Sequence, residues 1–528
     1  MKAPYCLTLI FLIFINTSYS QNPLLKQWDY RYGGTDADRL RYFLQTKSGK
    51  FLIGGDSYSG IGGDKSQPTW GLGDYWVVKL NAAGNKLWDK NFGGTNSENL
   101  TCFDETIDGG FIIGGISQSG IGGDKTQPLW GNANDEDYWI VKIDSLGNKQ
   151  WDKDLGGTHY DELLSIKQTT DYGYILGGSS ASDSTGDKTQ PQWGYFDYWL
   201  IKLDSNGNKQ WDKDIGGLAL DQFSDMQQTN DGGYILAGYT YSGIGGDKTE
   251  PVWGSMDFWV VKLDSTGNKQ WDKNYGTVGY EELSSIKQTN DGGYIIGGYT
   301  ASGIGGDKTQ NTWGGYDYWI IKIDANGNKQ WDKDFGGTSS DVLNSIIQTS
   351  DNGYLLSGTS DSPISGDKTE NNLGYGQMWV VKTDSIGNKL WDKTIFTSTS
   401  QGIGLAVESY DSCFIYATYT DAGIGGYKTQ LSQGLLDFWV VKFCDSTLTT
   451  SVNNKLNTNT NISIGPNPAT KKINFYSEKS EKVKITNLLG TILFDKTLAG
   501  KIEIDVSSFT NGFYFIQIGN EIKKFVKE

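Results

Sequence analysis

Gln150-Trp151-Asp152-Lys153-Asp154-Leu155-Gly156-Gly157-Thr158 decides the fold, because versions of this stretch return along the whole chain. Its tryptophan recurs every 60 residues, or 63 between Trp88 and Trp151, at Trp28, Trp88, Trp211, Trp271, Trp331 and Trp391. A second marker, aromatic-Trp-(Val/Ile/Leu)-(Val/Ile)-Lys, keeps step with it at Trp76, Trp139, Trp199, Trp259, Trp319 and Trp439, with a Met-Trp variant at Trp379. A fixed period of this kind indicates a repeat architecture.

Each unit contains four strand signals separated by turn residues. In the fifth unit they lie at 285–289, 294–300, 317–324 and 329–335, and they are rich in aromatic and β-branched residues bounded by Asp, Asn and Gly. The third strand is apolar on both faces, which favours a sheet packed between two other sheets, as in a β-propeller. A β-solenoid is the alternative, although its coils are shorter, at about 20–30 residues.

The two ends of the repeat array complement each other. Residues 26–32 resemble a fourth strand with no preceding three, and residues 437–443 resemble a third strand with no fourth. We therefore predict an all-β chain with a seven-bladed β-propeller, closed by its N-terminal strand, within a domain at 21–445. Closure of this kind removes the two open strand edges of a linear array.

The composition and the ends of the chain limit the possible functions. The net charge of −16 argues against sequence-independent binding to nucleic acid or to anionic lipid. Residues 1–20 carry Lys2, an apolar run at 6–15 and small residues before a cut between Ser20 and Gln21, which is typical of a secretory signal peptide. No later stretch is suited to a transmembrane helix. The polar residues 446–461 are predicted to be a linker.

Three cysteines remain after signal cleavage, too few for a disulfide scaffold or a zinc cluster. Cys413 opens the second strand of the seventh unit and Cys444 ends its third strand, so we expect their sulfur atoms to lie close together. A disulfide is our hypothesis, and two buried thiols are the alternative. Cys102 is predicted to be a core residue.

Residues 462–528 form a separate domain with alternating apolar runs, which predict a small antiparallel β-sandwich. Its motifs are Pro466-Asn467-Pro468-Ala469, Asn487-Leu488-Leu489-Gly490, a run from Asp505 that contains Asn511, Gly512 and Tyr514, and Lys523-Lys524-Phe525-Val526-Lys527. Together they resemble the type A C-terminal sorting domain of the bacterial type IX secretion system. The resemblance implies that the tail engages this machinery and is usually removed, and that the cargo is released or attached to the outer-membrane surface.

The long loop between the second and third strands carries the predicted ligand-binding residues. Its fullest version reads Ser-Gly-Ile-Gly-Gly-Asp-Lys-Thr-Gln-Pro-x-Trp-Gly, and similar repeats occur in exported proteins of the same kind of bacteria. Its Trp could stack on sugars, and its Asp could accept hydrogen bonds from hydroxyls or coordinate a Ca²⁺ ion as cofactor. Alternatively, Asp and Lys pin the loop while Trp fills a gap between blades. The residues are Asp64, Trp70, Asp124, Trp130, Asp187, Trp193, Asp247, Trp253, Asp307 and Trp313. Tyr427 replaces the seventh Asp, and Leu373 and Ser432 stand near the place of the missing Trp.

No catalytic residue set is predicted. The single histidine, His159, lies in an inter-blade loop without a partner for nucleophilic catalysis. Carboxylates that start the first strands could ring the mouth of the channel, at Asp161, Glu162, Asp221, Glu281, Glu282 and Asp341. We expect an exported, non-enzymatic binding or adhesion protein that contacts glycans or surface proteins. The alternatives are a carbohydrate-active enzyme, either a glycoside hydrolase or a lyase, and a structural surface protein.

Overall fold

The computed structural model describes residues 24–132, 134–445, 469–487, 491–518 and 521–527. The chain divides into two compact units, Met1–Ser446 and Thr447–Glu528. The predicted signal peptide, its cleavage site at Ser20 and Gln21, and the linker at 446–461 lie outside the described residues. Within the described ranges we find no helix that could span a lipid bilayer.

The first unit consists of four-stranded antiparallel sheets, seven within its described residues. Sheet 1 contains β2 (Asp38–Gln45), β3 (Phe51–Ser57), β4 (Asp74–Leu80) and β5 (Lys86–Phe92). Sheet 2 contains β6 (Glu98–Glu105), β7 (Phe111–Ser117), β8 (Asp137–Ile143) and β9 (Lys149–Leu155). Sheet 3 contains β10 (Asp161–Gln168), β11 (Tyr174–Ser180), β12 (Asp197–Leu203) and β13 (Lys209–Ile215). Sheet 4 contains β14 (Asp221–Gln228), β15 (Tyr234–Thr240), β16 (Asp257–Leu263) and β17 (Lys269–Tyr275).

The remaining sheets of this unit include one built from both ends of the array. Sheet 5 contains β18 (Glu281–Gln288), β19 (Tyr294–Thr300), β20 (Asp317–Ile323) and β21 (Lys329–Phe335). Sheet 6 contains β22 (Asp341–Gln348), β23 (Tyr354–Ser360), β24 (Gln377–Thr383) and β25 (Lys389–Ile395). Sheet 7 contains β26 (Leu405–Glu408), β27 (Phe414–Thr420), β28 (Asp437–Asp445) and β1 (Leu24–Tyr32). As predicted, the first strand completes the last sheet, with Tyr30 opposite Val440 and Tyr32 opposite Phe438.

The sheets are arranged in a circuit. The first strands of neighbouring sheets contact one another in sequence, and the circuit returns from β26 to β2. These first strands therefore lie innermost and the fourth strands lie outermost. Because each sheet has a neighbour on both faces, every residue of a third strand such as β8 is buried. Tyr138 of sheet 2, for example, packs on Trp199 of sheet 3 with ring centroids 4.9 Å apart.

The Asp of the Trp-Asp marker explains why this dipeptide recurs. Asp152 accepts a hydrogen bond from the buried Trp139 indole at 3.1 Å and two more from the backbone and hydroxyl of Thr126 in the long loop. Asp29 does the same in sheet 7, where Trp439 and Thr429 donate to it across the closure. The carboxylate thus joins the third strand, the fourth strand and the loop of one sheet.

A disulfide joins Cys413 and Cys444 in sheet 7, with Cα atoms 4.3 Å apart. Cys102 is a free thiol and is buried. Burial raises the pKa of Cys102 to about 12, which keeps the thiol protonated and unreactive.

The second unit forms a four-stranded antiparallel sheet in its described residues, in the order β30-β29-β31-β32. Its strands are β29 (Lys472–Asn487), β30 (Ile492–Asp505), β31 (Gly512–Ile518) and β32 (Glu521–Lys527). The predicted sandwich is not established by this single sheet and stays a prediction.

The described sorting-motif residues contribute to the core of the second unit. The Tyr514 ring is stacked on Phe525, and its hydroxyl donates to the Thr510 carbonyl at 2.6 Å. Asn511 and Gly512 lead into β31, and Lys523 and Lys524 lie on β32. Pro466, Asn467, Pro468 and Gly490 lie outside the described residues.

Candidate ligand-binding grooves between neighbouring sheets

The long loops fold back over the outer edges of the sheets. In sheet 2 the side-chain carbonyl of Gln127 accepts the backbone N–H of Asp154 on the fourth strand at 2.8 Å. Gln310 does the same for Asp334 in sheet 5. Unpaired N–H groups on an exposed edge strand invite pairing with another chain, so the loop protects this edge. The repeat pattern by itself does not indicate this role for the Gln of Lys-Thr-Gln.

The Lys of the loop is buried and pins the loop to its own sheet. Lys125 forms an ion pair with Asp154, and Lys188 lies 2.5 Å from Asp214. In sheet 4 the corresponding partner is an amide, because Lys248 donates to Asn274 at 2.9 Å. These contacts agree with the structural interpretation of the lysine.

The Asp of each loop contacts the preceding repeat. Asp124 of sheet 2 accepts the Gly93 amide at 3.3 Å and the Trp70 indole of sheet 1 at 2.9 Å. Burial raises the pKa of Asp124, which these two donors counteract. The same hydrogen bond joins Trp130 to Asp187 and Trp313 to Asp367. At the equivalent carboxylates, burial raises the pKa of Asp247 and of Asp307, and Trp193 and Trp253 counteract the rise. Each Trp therefore spans the groove to the next sheet.

The two grooves that border sheet 7 differ from the others, because the loops of sheets 6 and 7 have no Trp at this position. Asp64 accepts the Gly33 amide and lies 3.5 Å from Arg31. The residue at the Trp position of sheet 7 is Gln433, next to Ser432, because the Gln433 amide donates to Asp437 as the Trp70 amide donates to Asp74.

The groove tryptophans remain exposed despite their hydrogen bonds. Trp130 is 43% exposed and Trp70 and Trp253 are each 58% exposed. The Trp70 ring rests on Gly123 of the next loop, which has a φ of +59° and where a Cβ would lie 2.4 Å from the Gly93 carbonyl. Glycine is required at this close approach.

The groove between sheets 5 and 6 contains a cavity of about 650 Å³. Its lining combines the aromatic rings of Trp313 and Phe335 with polar groups from Gln310, Lys333 and Asn388. An apolar platform with a few convergent polar groups is typical of a small-molecule or sugar site.

The carboxylates at the starts of the first strands are mostly structural. Asp161 is fully buried and accepts the Gly157 amide at 2.6 Å and the Ser182 hydroxyl at 3.0 Å. Asp221, Glu281 and Asp341 are buried in the same way, so the expectation that they ring the channel mouth is wrong for these residues. These carboxylates lie inside the turn between two sheets, where they accept hydrogen bonds from backbone amides.

Two other carboxylates are only partly buried near the inner strands. Burial raises the pKa of Glu162, and the nearby charge of Glu136 raises it further. Gln118 donates to Glu136 at 2.8 Å and Gln222 donates to Glu162 at 3.2 Å.

His159 is exposed on its loop. No group of three or more His, Cys, Asp or Glu side chains suited to a metal occurs in the described part of the chain.

Known proteins resemble the two units separately. Residues 463–528 match the family model described as the secretion system C-terminal sorting domain. The chain is 29% identical over 143 residues to the Uncharacterized WD repeat-containing protein L264 of Acanthamoeba polyphaga mimivirus. This alignment covers 24% of this chain and 10% of that protein. It is 23% identical over 352 residues to the Regulatory protein FlaEY of Caulobacter vibrioides, 61% of this chain and 36% of that protein. The alignments thus span about a tenth and a third of these relatives.

Two solved structures are also similar to this chain. The Neurospora crassa Pan2 WD40 domain has a TM-score of 0.41 at 11% identity, covering 77% of this chain and 89% of that one. An ulvan lyase of polysaccharide lyase family PL25 has a TM-score of 0.43 at 10% identity, covering 78% and 95%. The circuit of repeated four-stranded sheets in the first unit is that of a β-propeller, and residues 463–528 are a secretion-system C-terminal sorting domain.

Proposed function

We propose that this chain is an exported, non-enzymatic binding or adhesion protein that recognises glycans through the grooves between its sheets. The observation that carries the proposal is the set of five tryptophans that remain 43–58% exposed, three of which donate their indole N–H across the groove to an Asp of the next repeat. A positioned, half-exposed aromatic ring is suited to stack on the C–H face of a sugar.

The scaffold itself supports a ligand role for these rings. In the two grooves that lack Trp, Gln433 and Leu373 occupy the Trp position of the loop. The circuit of sheets closes at these grooves as well, so the fold does not need a Trp in every groove. A ring that only filled a gap would be buried, because leaving large apolar area in water forgoes its stabilising effect.

We also propose the finer organisation of the exported protein. Its seven sheets are the seven blades of one closed propeller, residues 1–20 are a signal peptide and residues 446–461 are a linker. The sorting domain engages the type IX secretion machinery, and the body is then released or attached to the outer-membrane surface. The tail that matches the sorting family supports this route.

The test is glycan-array binding by the purified protein and by a Trp130→Ala/Trp193→Ala double variant. We expect glycan signals that fall at least about tenfold in the variant, since two stacking contacts are lost, with little change in melting temperature. Leu373→Ala is the matched control, since it truncates an exposed apolar side chain at the same loop position. Equal binding by all three proteins would contradict the proposal.

A carbohydrate-active enzyme is the second candidate, and the Glu136 and Glu162 pair favours it. Neighbouring carboxylates with a raised pKa can divide acid and base roles in glycoside cleavage. Turnover of a polysaccharide that disappears in Glu162→Gln but persists in Glu98→Gln, a buried carboxylate of the turn, would establish this activity. A protein that binds no glycan and turns none over would instead indicate a structural surface protein.

A further inference from the structure

We propose that the grooves select anionic sugar units, so that the ligand is a polymer of uronate or sulfated sugars. This inference rests on the proposed glycan-binding function. It depends on a juxtaposition that the repeat pattern did not show, between the exposed Trp of each groove and a lysine of the fourth strand of the same sheet.

The groove between sheets 5 and 6 shows the arrangement in detail. Lys333 and Trp313 both line its cavity. The stem of Lys333 lies against Gly387, where a Cβ would come within 2.8 Å of its Cγ, and its ammonium group is 3.3 Å from the Asn388 side-chain carbonyl. The cation is thereby held over the outer end of the groove.

The acidic groups of this groove are already occupied. Asp334 lies 2.5 Å from the buried Lys308, and Asp367 accepts the Trp313 indole at 2.9 Å and the Gly336 amide. Lys333 itself has only the neutral Asn388 as a hydrogen-bond partner among the described residues. The groove therefore presents, beside an aromatic platform, a lysine ammonium group that no carboxylate pairs with among the described residues, while the Asp367 carboxylate is held by its own two neutral donors.

The other Trp grooves repeat this placement. In each, a fourth-strand lysine lies against the hairpin glycine of the next sheet, the same sheet that the Trp reaches; the pairs are Lys90 with Gly147, Lys153 with Gly207, Lys213 with Gly267 and Lys273 with Gly327. Lys90, Lys153 and Lys213 have no ion pair in the described part of the chain, whereas Lys273 lies 2.6 Å from Glu250. In the groove between sheets 6 and 7, one of the two that lack Trp, Lys393 is also paired, at 3.5 Å from Glu370.

Local charge decides what enters these grooves. Charges further away than about 8 Å are largely screened at physiological ionic strength, so the net charge of −16 acts weakly on a bound sugar. A carboxylate or sulfate on the sugar would pair with the lysine ammonium group. A neutral sugar would remove part of the water around this group without supplying an opposite charge. Several equivalent grooves around one circuit favour a polymer, since linked units gain avidity.

The test measures binding of the purified full chain to immobilised polygalacturonate, dextran sulfate and unmodified dextran. We expect both polyanions to bind, with affinity that falls as salt rises, and dextran to bind at least about tenfold more weakly. A Lys90→Gln/Lys153→Gln/Lys213→Gln/Lys333→Gln variant should lose at least about tenfold in polyanion affinity with an unchanged melting temperature. The two polyanions distinguish a carboxylate from a sulfate ligand.

Groove 4/5 supplies matched controls. Lys273→Gln should change polyanion affinity less than about twofold, because Glu250 already neutralises this lysine. Glu250→Gln should release Lys273 and strengthen binding by about two- to threefold.

Two further outcomes separate the inference from the function on which it rests. Equal binding of dextran and the polyanions, unaffected by the lysine changes but lost in Trp130→Ala/Trp193→Ala, would overturn the anionic preference and leave glycan binding intact. Absence of binding to every polymer, together with an empty glycan array, would overturn both.

Discussion

The tryptophans of a single repeat occupy three different environments. In sheet 4, Trp253 is 58% exposed in its groove, whereas Trp259 on the third strand is fully buried. Trp271 on the fourth strand is partly buried and packs on Tyr294 of sheet 5 with ring centroids 6.4 Å apart. The residue type is the same at each position, but burial decides its contribution to stability or to binding.

Trp259→Ala is expected to lower the free energy of unfolding by about 3–5 kcal/mol, because it opens a large cavity in a closely packed core. It also removes the indole that donates to Asp272 at 3.2 Å. Chemical denaturation followed by intrinsic fluorescence measures the change. Trp253→Ala is the control and should cost less than about 1 kcal/mol. Similar losses in both variants would contradict the assignment of Trp253 to a surface groove.

One position of the fourth strand is Asp in some sheets and Asn in others. Asn274 donates its side-chain amide to Asp257, while Asp214 occupies the same place beside Asp197 and has no N–H to give. Burial raises the pKa of Asp214 to about 8, and Asp197 adds to the rise. Lys188 at 2.5 Å opposes this rise, but the folded state still binds the proton more tightly than the unfolded state, whose pKa is near 3.8. Since the folded state binds more protons, this group reduces stability as pH rises from about 4 to 8.

Asp214→Asn should therefore increase the free energy of unfolding at pH 8 by about 1–3 kcal/mol, because the amide supplies the missing donor. It should also flatten the decline in stability between pH 5 and pH 8. Melting temperature measured across this pH range tests the effect. The reciprocal change, Asn274→Asp, should destabilise the protein at pH 8 and less so at pH 5. A pH profile that neither variant alters would show that Asp214 is ionised in the folded protein.

At the scale of elements, each fourth strand depends on the loop that covers it. The loop residues Thr126 and Gln127 satisfy Asp152 and the Asp154 amide on the outer edge of sheet 2. In sheet 7 the loop of β27–β28 makes the corresponding bonds to β1, where Thr429 donates to Asp29 and Gln430 accepts the Arg31 amide. The long loop is thus part of the edge protection and of the closure, besides forming the groove.

The disulfide between β27 and β28 reinforces the sheet that closes the circuit. It spans 31 residues, so a Cys413→Ser/Cys444→Ser variant should lose about 2–4 kcal/mol of stability through the greater freedom of its unfolded chain. Thermal unfolding of the two proteins measures the loss. Without reductant, a denatured chain that begins at residue 21 should show one reactive thiol, from Cys102. Three reactive thiols would contradict the disulfide.

At the scale of the whole molecule, export and binding are assigned to different units. The match to the sorting domain falls entirely within the second unit, and the grooves fall entirely within the first. Each unit has its own core, because the two form separate compact bodies along the chain.

Deleting residues 447–528 should therefore keep the first unit inside the cell envelope without unfolding it. Immunodetection in the periplasmic and extracellular fractions tests this, with protease resistance of the retained protein as the folding control. Fusing 447–528 to a periplasmic reporter should conversely send the reporter outside. Release of the truncated chain at the same level as the complete chain would contradict the role of the tail.

Much of the fold could be predicted from the sequence because its signals are local. The alternation of apolar and polar residues, the turn residues and the period place each strand, and the two incomplete ends predict the pairing of β1 with β28. The sorting domain is equally a matter of local motifs.

Only the tertiary structure decided which side chains meet between repeats. It joins Trp70 to Asp124 and buries Asp161 in a turn. It also places Lys333 in the groove of Trp313. These contacts link residues on different sheets, so they depend on the spacing and rotation of neighbouring sheets. A one-dimensional pattern records which residues recur, but the distance between two sheets arises only when their side chains pack.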